Sequence, residues 1–149
     1  MAVDKYYPPV GFHFKVEFLG IPGVTDQDNR FQEVGGLSVD IQTEDIKSGG
    51  ENRFTFKLPT RANYPNLTLK RGLLVDSAVI DYINDAINTM EVTPITIQVT
   101  LLNEKHEPLQ AYSCVNAYPL KWSLDNFNAN DSKVVVESME WYYQYFKIL

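Results

Sequence analysis

Apolar residues recur at every second position through most of this 149-residue chain, and that period leaves little room for any fold but an antiparallel β one. Within residues 11–20, Phe12, Phe14, Val16 and Phe18 fall on one side while His13, Lys15 and Glu17 fall on the other. Leu37, Val39 and Ile41 alternate with Ser38, Asp40 and Gln42. Beyond a polar turn holding Ser48, Gly49 and Gly50, Phe54, Phe56 and Leu58 alternate with Arg53, Thr55 and Lys57, so residues 37–58 read as a long hairpin, wide at its tip. Ile95, Ile97, Val99 and Leu101 alternate with Thr96, Gln98 and Thr100 directly after Pro94, a residue tolerated at the first position of a strand. Polar residues 103–108 turn the chain back. Residues 109–122 and 133–146, separated by an Asn- and Asp-rich loop over 123–132, complete an expected six or seven strands.

One stretch changes period. Between Asp76 and Asn88, Val79, Ile80, Ile83, Ala86 and Ile87 recur at spacings of three and four, which predicts an amphipathic helix whose apolar stripe covers a sheet. Asp76 suits its N-terminal cap and Asn88 a left-handed C-terminal residue. Residues 59–72, with Pro59, Asn63, Pro65, Asn66, Lys70, Arg71 and Gly72, read as a loop longer than the usual connection of about 4–6 residues, a length that serves contact or function. The expected fold class is therefore mainly β with one α-helix, an antiparallel sandwich or barrel in one domain over residues 1–149. One short helix leaves a sheet face uncovered and at least two strand edges open, an arrangement that invites pairing with another chain. The polar faces opposite the Phe and Ile stripes suit water, either outside an assembly or in the lumen of a barrel shared among subunits.

Composition narrows the function. Thirteen basic against 19 acidic side chains give a net charge of −6 with no basic run, which disfavours stable nucleic-acid binding but leaves a polyanion free to slide past acidic walls. Aliphatic runs such as Leu73, Leu74, Val75 and Val134, Val135, Val136 fall far short of the ~20 apolar residues that cross a bilayer, so the monomer is not expected to insert in a membrane. Residues 1–9 lack the apolar core of an export signal. A lone Cys114 forms no internal disulfide, which fits synthesis in a reducing cytoplasm.

Catalytic constellations are missing. His13 and His106 share no ligand spacing with each other or with Cys114, and read as solvated side chains; no nucleophile elbow, phosphate-binding loop or zinc-protease helix occurs. Glu104 and Glu107 read as a solvated turn, Cys114 as a small packing residue, and Gly35 and Gly36 as a bulge or tight bend. Neither an enzyme nor a cofactor or metal site is expected. The C-terminal aromatics Trp141, Tyr143 and Tyr145 lack the basic groove of a base-stacking platform and read as core or subunit-contact residues. Lys70 and Arg71, on an acidic protein, are expected to set positive charge from the 59–72 loop against a neighbouring subunit, with Pro65, Asn66 and Gly72 as further contact candidates.

Four stretches carry a family resemblance: residues 9–18 (PVGFHFKVEF), 31–38 (FQEVGGLS), 65–72 (PNLTLKRG), and 116–122 (NAYPLKW) followed by 134–141 (VVVESMEW). In order and spacing they resemble the tube protein family of contractile phage tails and bacterial contractile injection systems, nearly end to end. The resemblance implies a subunit of six-membered rings whose sheets join into a continuous β-barrel around a channel. The rings stack into an inner tube that a contracting sheath drives through a target envelope, in company with baseplate and spike or hub proteins. Cargo would be protein effectors in an injection system or DNA in a phage tail; the ending YYQYFKIL after Trp141 is more like injection systems outside phages. Such a subunit belongs to an assembled cytoplasmic, released or virion particle. Because the family builds its barrel partly from this hairpin, its polar side (Ser38, Asp40, Gln42, Arg53, Thr55 and Lys57) is expected to line the channel, the competing placement being the outer surface beneath the sheath. A small-ligand β-barrel is the remaining alternative, and it would need a closed monomer with apolar inward residues on every strand.

Overall fold

The first described strand sorts its side chains by strict alternation. β1 (Phe14–Leu19) buries Val16 and Phe18, while Lys15 and Glu17 on its other face form an ion pair at 2.8 Å. The computed structural model describes residues 13–47, 49–50, 53–130 and 132–149; Phe12 of the first strand and Ser48 of the hairpin turn lie outside the described residues. After β1 come β2 (Glu33–Gly35), β3 (Asp40–Ile46), β4 (Phe56–Asn63), β5 (Leu67–Gly72), α1 (Ala78–Thr89), β6 (Ile95–Leu102), β7 (Pro108–Leu124), β8 (Val136–Tyr142) and β9 (Tyr145–Ile148). The described residues are mostly β with a single helix, as the periodicity predicts.

Seven strands pair antiparallel in the order β1-β6-β7-β8-β5-β2, with β9 also on β7. The 17-residue β7 organises the sheet. One of its edges takes β6, with Ile97 opposite Cys114; its other edge takes first β9, with Phe146 opposite Cys114, and then β8, with Met139 opposite Trp122. Sequence alternation reads residues 133–146 as one strand, but pairing begins at Val136 and breaks at Tyr143 and Gln144. Across the break Asn116 adopts φ +53° and its amide donates to Gln144 Oε1 at 2.8 Å, which turns the Tyr143 ring into the core and its hydroxyl onto the Gly36 carbonyl at 2.8 Å. Asn is one of the few residues that visits the left-handed region readily.

The core gathers Val16, Phe18, Leu67, Leu69, Ile97, Met139 and Trp141 from the sheet under Val79 and Ile83 of α1. Trp141 is its centre: Phe18 packs at 5.5 Å between ring centroids, and Tyr82 of the helix stacks on it at 6.2 Å. Burying each large apolar side chain contributes about 1.5–3 kcal/mol, which is why a short helix with only Val79, Ile83 and Ala86 buried stays docked. Its buried stripe is narrower than periodicity predicts, since Ile87 is exposed. The caps also move. Ser77 occupies the N-cap position with its hydroxyl engaged elsewhere, Asp76 precedes it at φ +62°, and Met90 at φ +56°, not Asn88, closes the C-terminus by donating its N–H to Ala86. No described helix is long and apolar enough to cross a membrane.

Residues 59–72 correct the loop expectation, because β4 continues to Asn63 and β5 starts at Leu67. Pro59 and Asn63, read as turn signals, sit in a two-stranded hairpin with open edges, where a missing N–H costs no ladder bond. The alternation of β5 was masked by its third inward residue, which is the charged Arg71.

Candidate assembly surface

The hairpin β3–β4 stands apart from the seven-stranded sheet, and every residue of both its strands is exposed. Asp40 faces Asn63, Ile41 faces Ala62 and Gln42 faces Arg61; Thr60 then bulges out, donating its hydroxyl to the Gln42 carbonyl at 3.1 Å, and pairing resumes with Thr43 opposite Pro59 and Ile46 opposite Phe56. Directly paired residues share a face, and successive residues along a strand point to opposite faces. Glu44, Leu58, Ile46 and Phe56 therefore lie on the face of Asp40 and Gln42, whereas Ile41, Ala62, Thr43, Asp45 and Lys57 lie on the other.

This register corrects the expectation of one apolar and one polar side. The bulge sets Ile41 opposite in face to Phe56 and Leu58, and separates Lys57 from Asp40 and Gln42. Ser38, Arg53 and Thr55 flank the strands and are exposed. The apolar side chains of the hairpin remain open: Ile41 is 67% exposed, Phe54 54% and Leu58 50%, and Phe54 meets Phe56 edge to face at 4.9 Å. An isolated two-stranded hairpin is marginal in water, and an apolar patch left open on a monomer marks an interaction site.

The residues expected at subunit contacts divide. Lys70 is exposed, 3.8 Å from Glu33 across the β2–β5 pair; Pro65, Gly72 and Tyr145 also reach the surface, and the half-buried Asn66 donates to Glu140 at 2.8 Å. Arg71 is buried, which corrects its expected place against a neighbouring subunit, and Trp141 and Tyr143, read as core or subunit-contact residues, are buried in the core of the chain itself. Strand alternation does this: neighbours Lys70 and Arg71 point to opposite faces.

Arg71 reveals a buried network that sequence reasoning missed. Its Nη1 donates to the Asp28 carbonyl at 3.1 Å, its Nη2 to Ser77 Oγ at 2.9 Å, and its Nε to the Glu137 carboxylate, with the Phe31 ring 5.0 Å from its guanidinium carbon. Ser77 donates in turn to the Asp28 carboxylate, which also accepts the Thr25 N–H at 3.0 Å, and Trp122 Nε1 donates to Glu137 at 3.3 Å. One cation thereby ties β5 and β8 to the 25–28 turn and the start of α1. The signal was present: Arg71 shares parity with Leu67 and Leu69, and Glu137 with Met139 and Trp141.

Other reactive groups sit apart from this surface. Cys114 is fully buried, and burial pushes its thiol up to about 12, the state of a packing residue. Glu107 accepts from Asn103 within an exposed turn. Against expectation His13 and His106 touch, with ring centroids 4.6 Å apart. Among the described residues no three His, Cys, Asp or Glu side chains gather as metal ligands.

Comparisons agree with this architecture. A chain in the anti-feeding prophage (AFP) baseplate, a six-fold symmetrised structure, superposes with a TM-score of 0.86 at 26% identity over 96% of each chain. A chain in the sheath/tube terminator of the extracellular contractile injection system PVC superposes with a TM-score of 0.81 at 25% identity over 99% of each. Hcp1 from Flavobacterium johnsoniae shares the fold alone, with a TM-score of 0.56 at 14% identity over 92% of this chain and 94% of that one. Among curated protein sequences no relative matches. The family model described as T4-like virus tail tube protein gp19 matches residues 10–147, nearly the whole sequence, and the chain belongs to that tail tube family.

Proposed function

We propose that six copies of this tail tube protein close into a ring, and that the rings stack into the inner tube of a contractile injection system. A sheath surrounds the tube, baseplate and spike or hub proteins cap one end, and protein effectors pass through the lumen. The observation that carries the ring is the β3–β4 hairpin, whose apolar residues are left exposed by the described residues of the same chain. A neighbouring copy supplies the missing partner, and head-to-tail contact between unlike surfaces generates a closed ring when the rotation closes. The six-fold symmetry of the AFP relative supports that count, and the AFP and PVC likenesses favour an injection system over a phage tail carrying DNA. The protein's work is mechanical: it stays closed and straight, and no residue is assigned a catalytic step.

In this reading Phe56, Leu58 and Ile46 pack on the next copy, while the opposite face, with Lys57 beside Asp45 and Thr43, meets the channel together with Arg53 and Thr55. A wall of mixed charge holds cargo weakly. Asp40 and Gln42 then belong to the packing face. The test uses Lys57→Cys in a Cys114→Ala background. In tubes a small maleimide should label it and a bulky one should not, whereas disassembled subunits should react with both. Rapid labelling of intact tubes by the bulky reagent places this face outside, and failure of both reagents on tubes places it in a subunit contact.

A further inference from the structure

Two imidazoles far apart in sequence meet beside the start of β1, and we propose that they form a site for a single divalent transition-metal ion such as Zn²⁺ or Ni²⁺. His13 precedes β1 and His106 lies in the turn between β6 and β7, yet their rings are 4.6 Å apart between centroids with planes at 68°. The backbone holds them there. Leu102 donates its N–H to the His13 carbonyl at 2.9 Å, which fixes the root of the turn against His13.

The turn itself is over-determined. The Asn103 side-chain oxygen accepts the N–H groups of Lys105 and Glu107 at 2.8 and 2.9 Å, its amide donates to the Glu107 carboxylate at 3.0 Å, and its carbonyl accepts from His106 at 3.0 Å. His106 is thereby held at φ +62°, a left-handed conformation that a non-glycine residue occupies only when its surroundings fix it.

The spacing suits a shared ion. With metal–nitrogen bonds of about 2.0–2.1 Å, two imidazoles bound side by side have ring centres about 4.5–5 Å apart, so coordination needs rotation of a ring about its Cβ–Cγ bond and no backbone shift. Imidazole nitrogen suits zinc, nickel and copper. The adjoining cleft is also lined by Lys15, Glu17, Asp26, Asn29 and Arg30, its two positive side chains balanced by two carboxylates. Asn29 Oδ1 is buried without a hydrogen-bond partner among the described residues, an acceptor for a metal-bound water. Two protein nitrogens with water filling the remaining positions give one ion per chain. This site stands independently of ring assembly.

The test is isothermal titration of the untagged chain with NiCl₂ and, separately, ZnCl₂ at neutral pH. One ion should bind per chain, and His13→Ala and His106→Asn should each weaken binding at least tenfold. Asn at 106 tolerates the left-handed backbone, and circular dichroism verifies that both variants are folded. Unchanged affinity in either folded variant, or no saturable binding by the wild-type chain up to millimolar metal, overturns the site.

Discussion

Arg71 is the residue on which the fold most depends. Its guanidinium is buried between Glu137 and Asp28, and removing one partner of a buried pair leaves an uncompensated charge at a cost of about 3–5 kcal/mol. Arg71→Met should therefore lower the urea midpoint sharply, while Lys70→Glu, at an exposed position, should shift stability by about 0.5 kcal/mol or less. Equal effects of the two in equilibrium unfolding would contradict the network. Reading Lys70 and Arg71 as one basic patch failed because a charge on the inward side of a strand breaks the hydrophobic pattern that identifies inward positions. Its acidic partners lie 43 and 66 residues away, beyond any local signal.

The same scale sets an alkaline limit. Burial raises both the Cys114 thiol and the Tyr143 phenol to about 12, from ordinary values of 9.0 and 10.0. Both groups are neutral when protonated, so the folded state holds their protons more tightly than the unfolded chain does. These two groups leave stability unchanged below about pH 9 and lower it from there toward pH 12, as the unfolded chain ionises first. In urea unfolding at stepped pH, Cys114→Ala should start from a lower baseline and begin this fall nearer pH 10. A wild-type stability that stays flat from pH 8 to 11 would contradict burial of both groups.

Elements with clean alternation were legible: β1 and β6 are where period two placed them, and the helix is within two residues of its predicted start, while the hairpin exists with its strands displaced toward the C-terminus, β4 running on to Asn63 where a loop was expected. What escaped was set by tertiary context. The Thr60 bulge moves β3 and β4 out of the simple face assignment, and Asn116 splits the last strand in two. Helix caps moved because Ser77 spends its hydroxyl on Asp28 and Arg71. Gly36 shows the same dependence, since at φ +92° an added Cβ would collide with the Asn66 carbonyl. Gly36→Ala should destabilise by more than about 1 kcal/mol, whereas Met90→Gly, relieving a left-handed methionine at the helix end, should stabilise the monomer by about 0.5–1 kcal/mol. Thermal melts of the two variants should move in opposite directions.

At the scale of the whole molecule, the hairpin separates folding from assembly. Its residues contribute almost nothing to the core of one chain, so the double change Phe56→Asp and Leu58→Asp should leave the circular dichroism and melting temperature of the subunit nearly unchanged while abolishing higher-order particles. Loss of both together would mean that the hairpin supports the subunit's own fold. The candidate site was legible only in part, because a sequence marks apolar side chains but not whether the same chain or a second copy covers them.

Whether this tube subunit closes into rings can be seen in end-on electron-microscopic images of the purified wild-type protein over a range of concentrations. Six-fold rings with an open centre are expected, single or stacked, each ring with a mass of about six chains of 17.1 kDa. Monodisperse particles of a single chain at every concentration would contradict ring closure.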